Sequence, residues 1–180
     1  MSADVLAGWE EARAAVTPWT PGAEPRPDLR LAWESGAAPV VRVKGVEVLR
    51  ISDVIASEVL AVLKTQGVPV GPVLINVPRR CIEVLVPLGS AATWTPQPHT
   101  GCAGTALMRC PAPEITRASG RWVAGRTWTR NPGAGTTSAG ALAEAVPEAT
   151  ARWHSALQAQ IQGWAEDYPT PGSTREGQQP

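Results

Sequence analysis

Residues 46–87 have the sequence VEVLRISDVIASEVLAVLKTQGVPVGPVLINVPRRCIEVLVP, and this stretch decides the fold. Its first part, 46–51, alternates β-branched and other residues, which predicts a strand. Ser52 is a good N-cap, and the apolar residues that follow it recur at helical spacing, so a helix is expected to begin here. Gly67 is placed to end that helix, because glycine tolerates the left-handed conformation that follows a helix. A strand therefore runs directly into an amphipathic helix.

The second half of this stretch predicts a β-hairpin. Two apolar runs, 71–76 and 81–87, flank the turn sequence VPRR. Beyond a long loop at 88–103, further strands are expected at 104–110 and at 121–124 or 126–129. A strand, a helix and a hairpin in this order predict an α/β (α+β) fold, a small two-layer sandwich in which helices cover a mainly antiparallel sheet.

The flanking sequence divides the chain into five parts. Prolines exclude a helix over 17–27, because proline lacks the backbone donor and fixes φ. Pro147 is expected near the first turn of the C-terminal helix, where proline is tolerated. The predicted parts are N-terminal helices with a Pro-rich linker (1–35), a central core (36–130), a flexible linker (131–140), an amphipathic helix (141–168) that is docked or projecting, and a disordered tail (169–180).

Charge is unevenly distributed along a chain whose formal net charge is zero. Residues 78–130 hold seven arginines and two glutamates, a net charge of +5 (7 − 2), and the flanks are acidic. A local basic surface attracts phosphate groups. The alternative is that the acidic flanks pack over the basic region within the same molecule.

The sequence indicates a cytoplasmic protein. The N-terminal residues lack the basic and apolar regions of a signal peptide. No apolar run approaches the ~20 residues that a membrane-spanning helix requires. An odd number of cysteines, three, fits a reducing compartment better than a disulfide framework.

Four segments carry a resemblance to a known family: GVEVLRI (45–51), VLVPLG (84–89), GTALMRCPAP (104–113) and SGRW (119–122). Their order and spacing resemble actinobacterial proteins of the bifunctional DNA primase/polymerase N-terminal (prim-pol) domain family. The resemblance covers about 80 residues and implies a nucleic-acid or nucleotide ligand in a replication or mobile-element setting.

The chain departs from that family at the catalytic positions. The first strand offers Glu47 and then Asp53 in place of an Asp-x-Asp motif, and Arg79-Arg80-Cys81 stands where the family has a histidine. A two-metal polymerase site needs clustered carboxylates. We therefore expect a degenerate domain with no catalytic residues and no cofactor. Convergence of Glu47, Asp53 and Glu83 would revive the polymerase interpretation.

Arginines and one tryptophan in the basic region form the candidate nucleic-acid-binding set. Arginine forks match phosphate geometry, and a tryptophan ring stacks on a base. The alternative is that these arginines are solvated turn residues and that the tryptophan belongs to the core. The set is Arg79, Arg80, Arg109, Arg121 and Trp122.

The cysteines and histidines suggest two weaker interpretations. A zinc site would require Cys81, His99, Cys102 and Cys110 to converge in a tetrahedron, although their spacing is irregular and contains no CxxC pair. Cys102 with His99 or His154 would make a nucleophile and base, but no motif places them together. The alternative for the strand cysteines is that they are small buried hydrophobes.

The C-terminal helix carries an apolar stripe, Trp153, Leu157, Ile161 and Trp164, with Gln160 beside it. An exposed stripe of this kind would bind a protein partner or a second copy of the chain. Packing on its own sheet is the alternative, since an amphipathic helix normally covers the nearest core. This stripe is the basis of the competing functional hypothesis, an interaction, regulatory or assembly protein.

Overall fold

The computed structural model describes residues 16–133 and 135–167, with side chains up to 164 in the last helix. The predicted N-terminal helix and the tail at 169–180 lie outside the described residues. The strands are β1 (Pro18–Trp19), β2 (Val40–Val43), β3 (Glu47–Ser52), β4 (Val73–Asn76), β5 (Cys81–Val86), β6 (Thr100–Ala103), β7 (Leu107–Arg109) and β8 (Arg126–Trp128). The α-helices are α1 (Pro27–Glu34), α2 (Asp53–Thr65), α3 (Ser90–Thr93) and α4 (Ala139–Asp167).

The fold is an α+β sandwich built on a five-stranded sheet of order β6-β3-β5-β4-β8, in which all neighbours are antiparallel. The predicted strand, helix and hairpin are confirmed as β3, α2 and β4–β5. Ser52 caps α2, because its hydroxyl accepts a hydrogen bond from Val54 N at 3.4 Å. A second, three-stranded sheet has the order β1-β2-β7.

Two hydrophobic cores lie on opposite faces of the five-stranded sheet. Side chains alternate between faces along a strand, so in β3 Leu49 and Ile51 point to one face while Val48 points to the other. The first core packs under α2 and α4. The second core packs under the three-stranded sheet and α1, around Trp19 and Trp128.

The Pro-rich segment 17–27, predicted to be a non-helical loop or linker, is packed against the protein body. Trp19 is buried in the second core, and its strand β1 pairs in parallel with β2. Pro27 begins α1, a position where the missing N–H costs nothing. Trp33 in α1 donates its indole N–H to Cys110 O at 3.0 Å. Trp19 and Trp33 therefore hold this segment and the helix that follows it against the body, a role that the proline pattern did not indicate.

The predicted loop at 88–103 contains α3 and β6. The sequence of β6, TGCA, has no β-branched alternation, so its strand conformation follows from pairing with β3 and not from local propensity. The strand predicted at 104–110 is shorter, because only Leu107–Arg109 pair with β2. Of the two alternatives for the last strand, 126–129 agrees with β8.

The segment 131–140 also differs from its prediction as a flexible linker. Thr137 is buried, and its hydroxyl accepts a hydrogen bond from Gly71 N at 2.9 Å. Helix α4 begins at Ala139, so Pro147 lies inside the helix and not at its first turn. Proline leaves the carbonyl four residues earlier without its helical donor. Here Gln97 Nε2 donates to that carbonyl, Ala143 O, at 3.1 Å, which explains how the helix accommodates the proline.

Helix α4 has a docked half and a projecting half. Leu142, Val146 and Ala149 are buried against the first core, whereas every described residue from 154 to 164 is exposed. The helix predicted at 141–168 as docked or projecting is therefore docked over its first half and projects over its second half. Within 16–133 and 135–167, no helix has the length and hydropathy of a membrane-spanning segment.

Candidate nucleic-acid interface

An open groove of about 700 Å³ lies at one end of the five-stranded sheet. Strand β3 ends here and α2 begins, while β5 and β6 both start here because they run antiparallel to β3. Ten of the described residues line the groove, and four of them are arginine or histidine. They are Arg50, Arg79, Arg80, His99, Ser52, Asp53, Val54, Cys81, Thr100 and Gly101.

Backbone hydrogen bonds fix the segments that form the groove. Ser52 N donates to His99 O at 2.9 Å, and Asp53 N donates to Arg80 O at 2.9 Å. The junction between β3 and α2 is therefore tied to the β4–β5 turn on one side and to the start of β6 on the other. Three segments distant in sequence are held at a fixed spacing around the groove.

Two groove residues have left-handed backbone conformations. Arg80 has a φ of 50° and His99 a φ of 64°. Among the described residues only one other non-glycine residue, Ala124, has a positive φ. Such conformations are uncommon for residues with a Cβ, and they concentrate at functional sites.

Glu83 is the buried centre of the charges beside the groove. Its side chain is fully buried, and it faces Arg50 directly across β3 and β5. Arg50 Nε contacts Glu83 Oε1 at 2.8 Å, and Asn76 Nδ2 donates to Oε2 at 3.2 Å. Arg79 Nη1 lies 3.9 Å from Oε1. One carboxylate thus orients two arginines toward the groove.

Arg126 extends the arginines away from the groove. It lies opposite Asn76 in the β4–β8 pairing and is buried. Burial lowers the pKa of Arg126, and the nearby charge of Arg109 lowers this pKa further. Arg79 also lies close enough to act in the same direction. We call Arg50, Arg79, Arg80, Arg109 and Arg126 the arginine band.

The acids near the band only partly neutralise it. Glu83 is buried beneath the arginines, and Asp53 pairs with Arg80 at 3.1 Å in an exposed ion pair. Three arginines of the band therefore share two carboxylates. The side chains of Arg79 and Arg80 are 55% and 78% exposed, so their guanidinium donors are accessible to a ligand.

The candidate nucleic-acid-binding residues divide into two groups. Arg79 and Arg80 line the groove, whereas Arg109 does not line it and is near enough to Arg126 for its charge to act there. Arg121 and Trp122 do not line the groove; both are exposed in the loop before β8. That loop reaches the β4–β5 turn, because Val77 N donates to the carbonyl of its last residue, Gly125. Because Trp122 is 48% exposed, it lies outside the core.

Sequence reasoning did not single out Arg50 and Arg126, and it considered Glu83 only as a possible metal ligand. Arg126 stands between a glycine and a threonine and offers no clear signal. Arg50 and Glu83 are charged residues within strands whose neighbours are apolar, and that contrast was the available signal. Their partnership depends on strand order, because residues 33 positions apart become opposed only when β3 and β5 pair.

The four residues of the candidate zinc site are not brought together. Cys110 is buried in the second core, and Cys102 packs against the first core on the other face of the sheet. Cys81 and His99 both line the groove. Within the described residues, no three His, Cys, Asp or Glu side chains cluster closely enough to hold a metal ion. Burial raises the pKa of each of the three thiols, which disfavours the thiolate that zinc and nucleophilic chemistry require.

The carboxylates that a two-metal polymerase site would need also point apart. Glu47 lies on the sheet face opposite Glu83, and it accepts a hydrogen bond from Ala91 N at 2.5 Å. Glu83 is committed to Arg50 and Asn76, and Asp53 to an exposed arginine. These residues do not fit a pair of magnesium ions.

The apolar stripe of the C-terminal helix is divided by the end of the protein body. Trp153 packs against the first core, and its ring lies 5.6 Å from the ring of His99, a groove residue. His154 contacts the same indole at 4.8 Å. Leu157, Ile161 and Trp164 are 39%, 53% and 61% exposed. Helix α4 therefore leaves the body beside the groove with its apolar stripe uncovered.

Comparison of the chain with family models, with curated proteins and with solved structures gave no match.

Proposed function

We propose that this protein is a non-catalytic, prim-pol-like domain that binds single-stranded nucleic acid or a nucleotide through its phosphate groups. The observation that carries the proposal is the arginine band beside an open groove. Arginine donates in a planar fork that matches phosphate oxygens, and the exposed heads of Arg79 and Arg80 provide such forks at the groove. The replication or mobile-element setting rests on the sequence resemblance alone.

The construction of the site supports binding in preference to catalysis. Glu83 is used to hold arginines and not to bind a metal or move a proton. The bound phosphate would meet guanidinium groups that are already oriented, so less side-chain entropy is lost on binding. Trp122, exposed in the adjoining loop, is positioned to stack on a base.

The test is a titration with a fluorescently labelled single-stranded oligonucleotide, followed by anisotropy at several salt concentrations. The wild-type protein should bind with an affinity that falls as salt rises. Each lost phosphate contact on a single strand removes about 0.7 from the slope of log affinity against log salt. The double substitution Arg79→Ala/Arg80→Ala should therefore reduce the slope by about 1.4.

The matched control is Arg30→Ala. Arg30 forms an exposed ion pair with Glu24 at 3.4 Å, similar to the pair of Arg80 with Asp53, but it lies on α1. This variant should bind like the wild type. Absence of binding at low salt, or an equal loss in Arg30→Ala and the double variant, would overturn the proposal.

A further inference from the structure

We infer that the projecting half of α4 is an interface between two copies of this chain, independent of the ligand in the groove. The interface consists of Leu157, Ile161 and Trp164, which we call the distal stripe. Its members are among the exposed large hydrophobic side chains of the described residues, and they follow one another on one face of one helix. The same face is buried against the first core from Leu142 to Trp153.

The distal half of α4 is poorly suited to stand alone. The exposed residues 154–164 extend about 16 Å along the helix axis. Because it continues a docked helix, this segment incurs no nucleation cost, but propagation in water gains little free energy unless the apolar face is packed. The docked half solves this problem with α2, and the distal stripe continues the same packing face beyond the body. A second helix, about 10 Å in diameter, fits across the projecting length.

Charge argues for a second copy in preference to a nucleic acid or a membrane. Residues 153–164, WHSALQAQIQGW, contain no lysine, arginine, aspartate or glutamate. Without lysine or arginine this segment lacks the positive charge that binds phosphates or anionic headgroups strongly. Two copies of an uncharged surface meet without repulsion, and the glutamines beside the stripe can both donate and accept hydrogen bonds across it.

The stripe is also complementary to itself. A two-fold axis requires that a residue i contacts j while j contacts i. In an antiparallel pair centred between Gln160 and Ile161, Leu157 of each copy lies opposite the second copy's Trp164. A branched side chain then packs against a flat ring at both ends, and the helix dipoles oppose each other. Three side chains per copy make a small interface, so we expect dissociation in the micromolar range.

Sedimentation equilibrium of the full chain, without nucleic acid, tests the inference. The average mass should rise from 18.9 kDa toward twice that value as the concentration passes through the micromolar range. Leu157→Gln and Trp164→Gln should each weaken the dimer at least tenfold. Leu31→Gln is the matched control, since Leu31 is exposed on α1 outside the stripe. Circular dichroism would verify that each variant is folded.

Cysteine substitutions at two glutamine positions test which face of the helix forms the interface and which residues of the two copies lie opposite each other. Gln160→Cys lies at the proposed axis and should form a disulfide-linked dimer on oxidation. Gln162→Cys lies about 130° around the helix from the centre of the stripe, on the far side, and should not. A protein that stays monomeric throughout, a dimer that Leu157→Gln and Trp164→Gln leave intact, or equal cross-linking at both positions would each overturn the inference.

Discussion

Substitution of Glu83 by leucine should destabilise the protein far more than loss of the neighbouring exposed carboxylate. Glu83 is fully buried and neutralises Arg50 at 2.8 Å, so Glu83→Leu leaves that guanidinium without its carboxylate and with the carbonyl of Leu107, at 3.2 Å, as its remaining acceptor among the described residues. Removing one partner of a buried ion pair costs about 3–5 kcal/mol. The side chain of Arg50 is 30% exposed and can turn partly toward water, which favours the lower end, about 3 kcal/mol. For a chain of this size the midpoint of thermal unfolding should fall by about 6–12 °C.

The comparison variant is Asp53→Asn, which breaks the exposed pair with Arg80 at the same groove. Exposed ion pairs contribute about 0–1 kcal/mol, so this variant should remain close to the wild type. Urea unfolding followed by tryptophan fluorescence measures both variants. A change in midpoint at constant slope reports stability alone.

The double variant Arg50→Met/Glu83→Leu separates a buried-charge effect from a packing effect. Replacing both charged partners by apolar side chains is often neutral or stabilising. The double variant should therefore be more stable than Glu83→Leu alone, even though it carries one more substitution. If Glu83→Leu loses no more stability than Asp53→Asn, or if the two changes simply add, the ion-pair argument is refuted.

Three further outcomes are expected. Gly71→Ala should destabilise the protein, because a Cβ there would lie within 3.0 Å of backbone atoms, whereas Gly101→Ala, with nothing within 4 Å, should not; urea unfolding compares them. Gln97→Ala should cost about 1 kcal/mol, the usual value of one hydrogen bond, because Ala143 O loses its donor; thermal unfolding measures it, and an unchanged midpoint would contradict the role given to this bond. Burial raises the pKa of Cys110 well above its usual value, so at neutral pH a thiol reagent should modify it only after unfolding, and mass spectrometry of the native protein would reveal any earlier reaction.

Local signals predicted the part of the fold whose contacts are local. The cap at Ser52, the periodicity of α2 and the β4–β5 hairpin are encoded within a few residues of themselves. Strand β1 has only two residues, Pro18 and Trp19, and it exists because β2 lies beside it. Its conformation depends on residues more than 20 positions away, which a short window of sequence does not contain.

The candidate site was partly predictable for the same reason. Arg79 and Arg80 stand together in a turn, so their exposure near a strand end could be inferred from sequence. The pairing of Arg50 with Glu83 requires the order of strands in the sheet, which the hydrophobic pattern does not specify. Pro147 was misplaced because its compensating donor, Gln97, lies 46 positions away from the carbonyl that it satisfies.

The second core imposes an order on how the chain can fold. Trp19 and Val41 come from the first quarter of the sequence, but Met108 and Trp128, which pack in the same cluster, are synthesised more than 60 residues later. Closing a loop of that length costs entropy before any contact is gained, and such distant pairings slow folding. During synthesis, the apolar side of β2 therefore stays exposed to solvent until β7 and β8 have been synthesised. Residues 47–86, whose β3–β5 and β4–β5 pairings lie within this span, are the part of the protein that can assemble first.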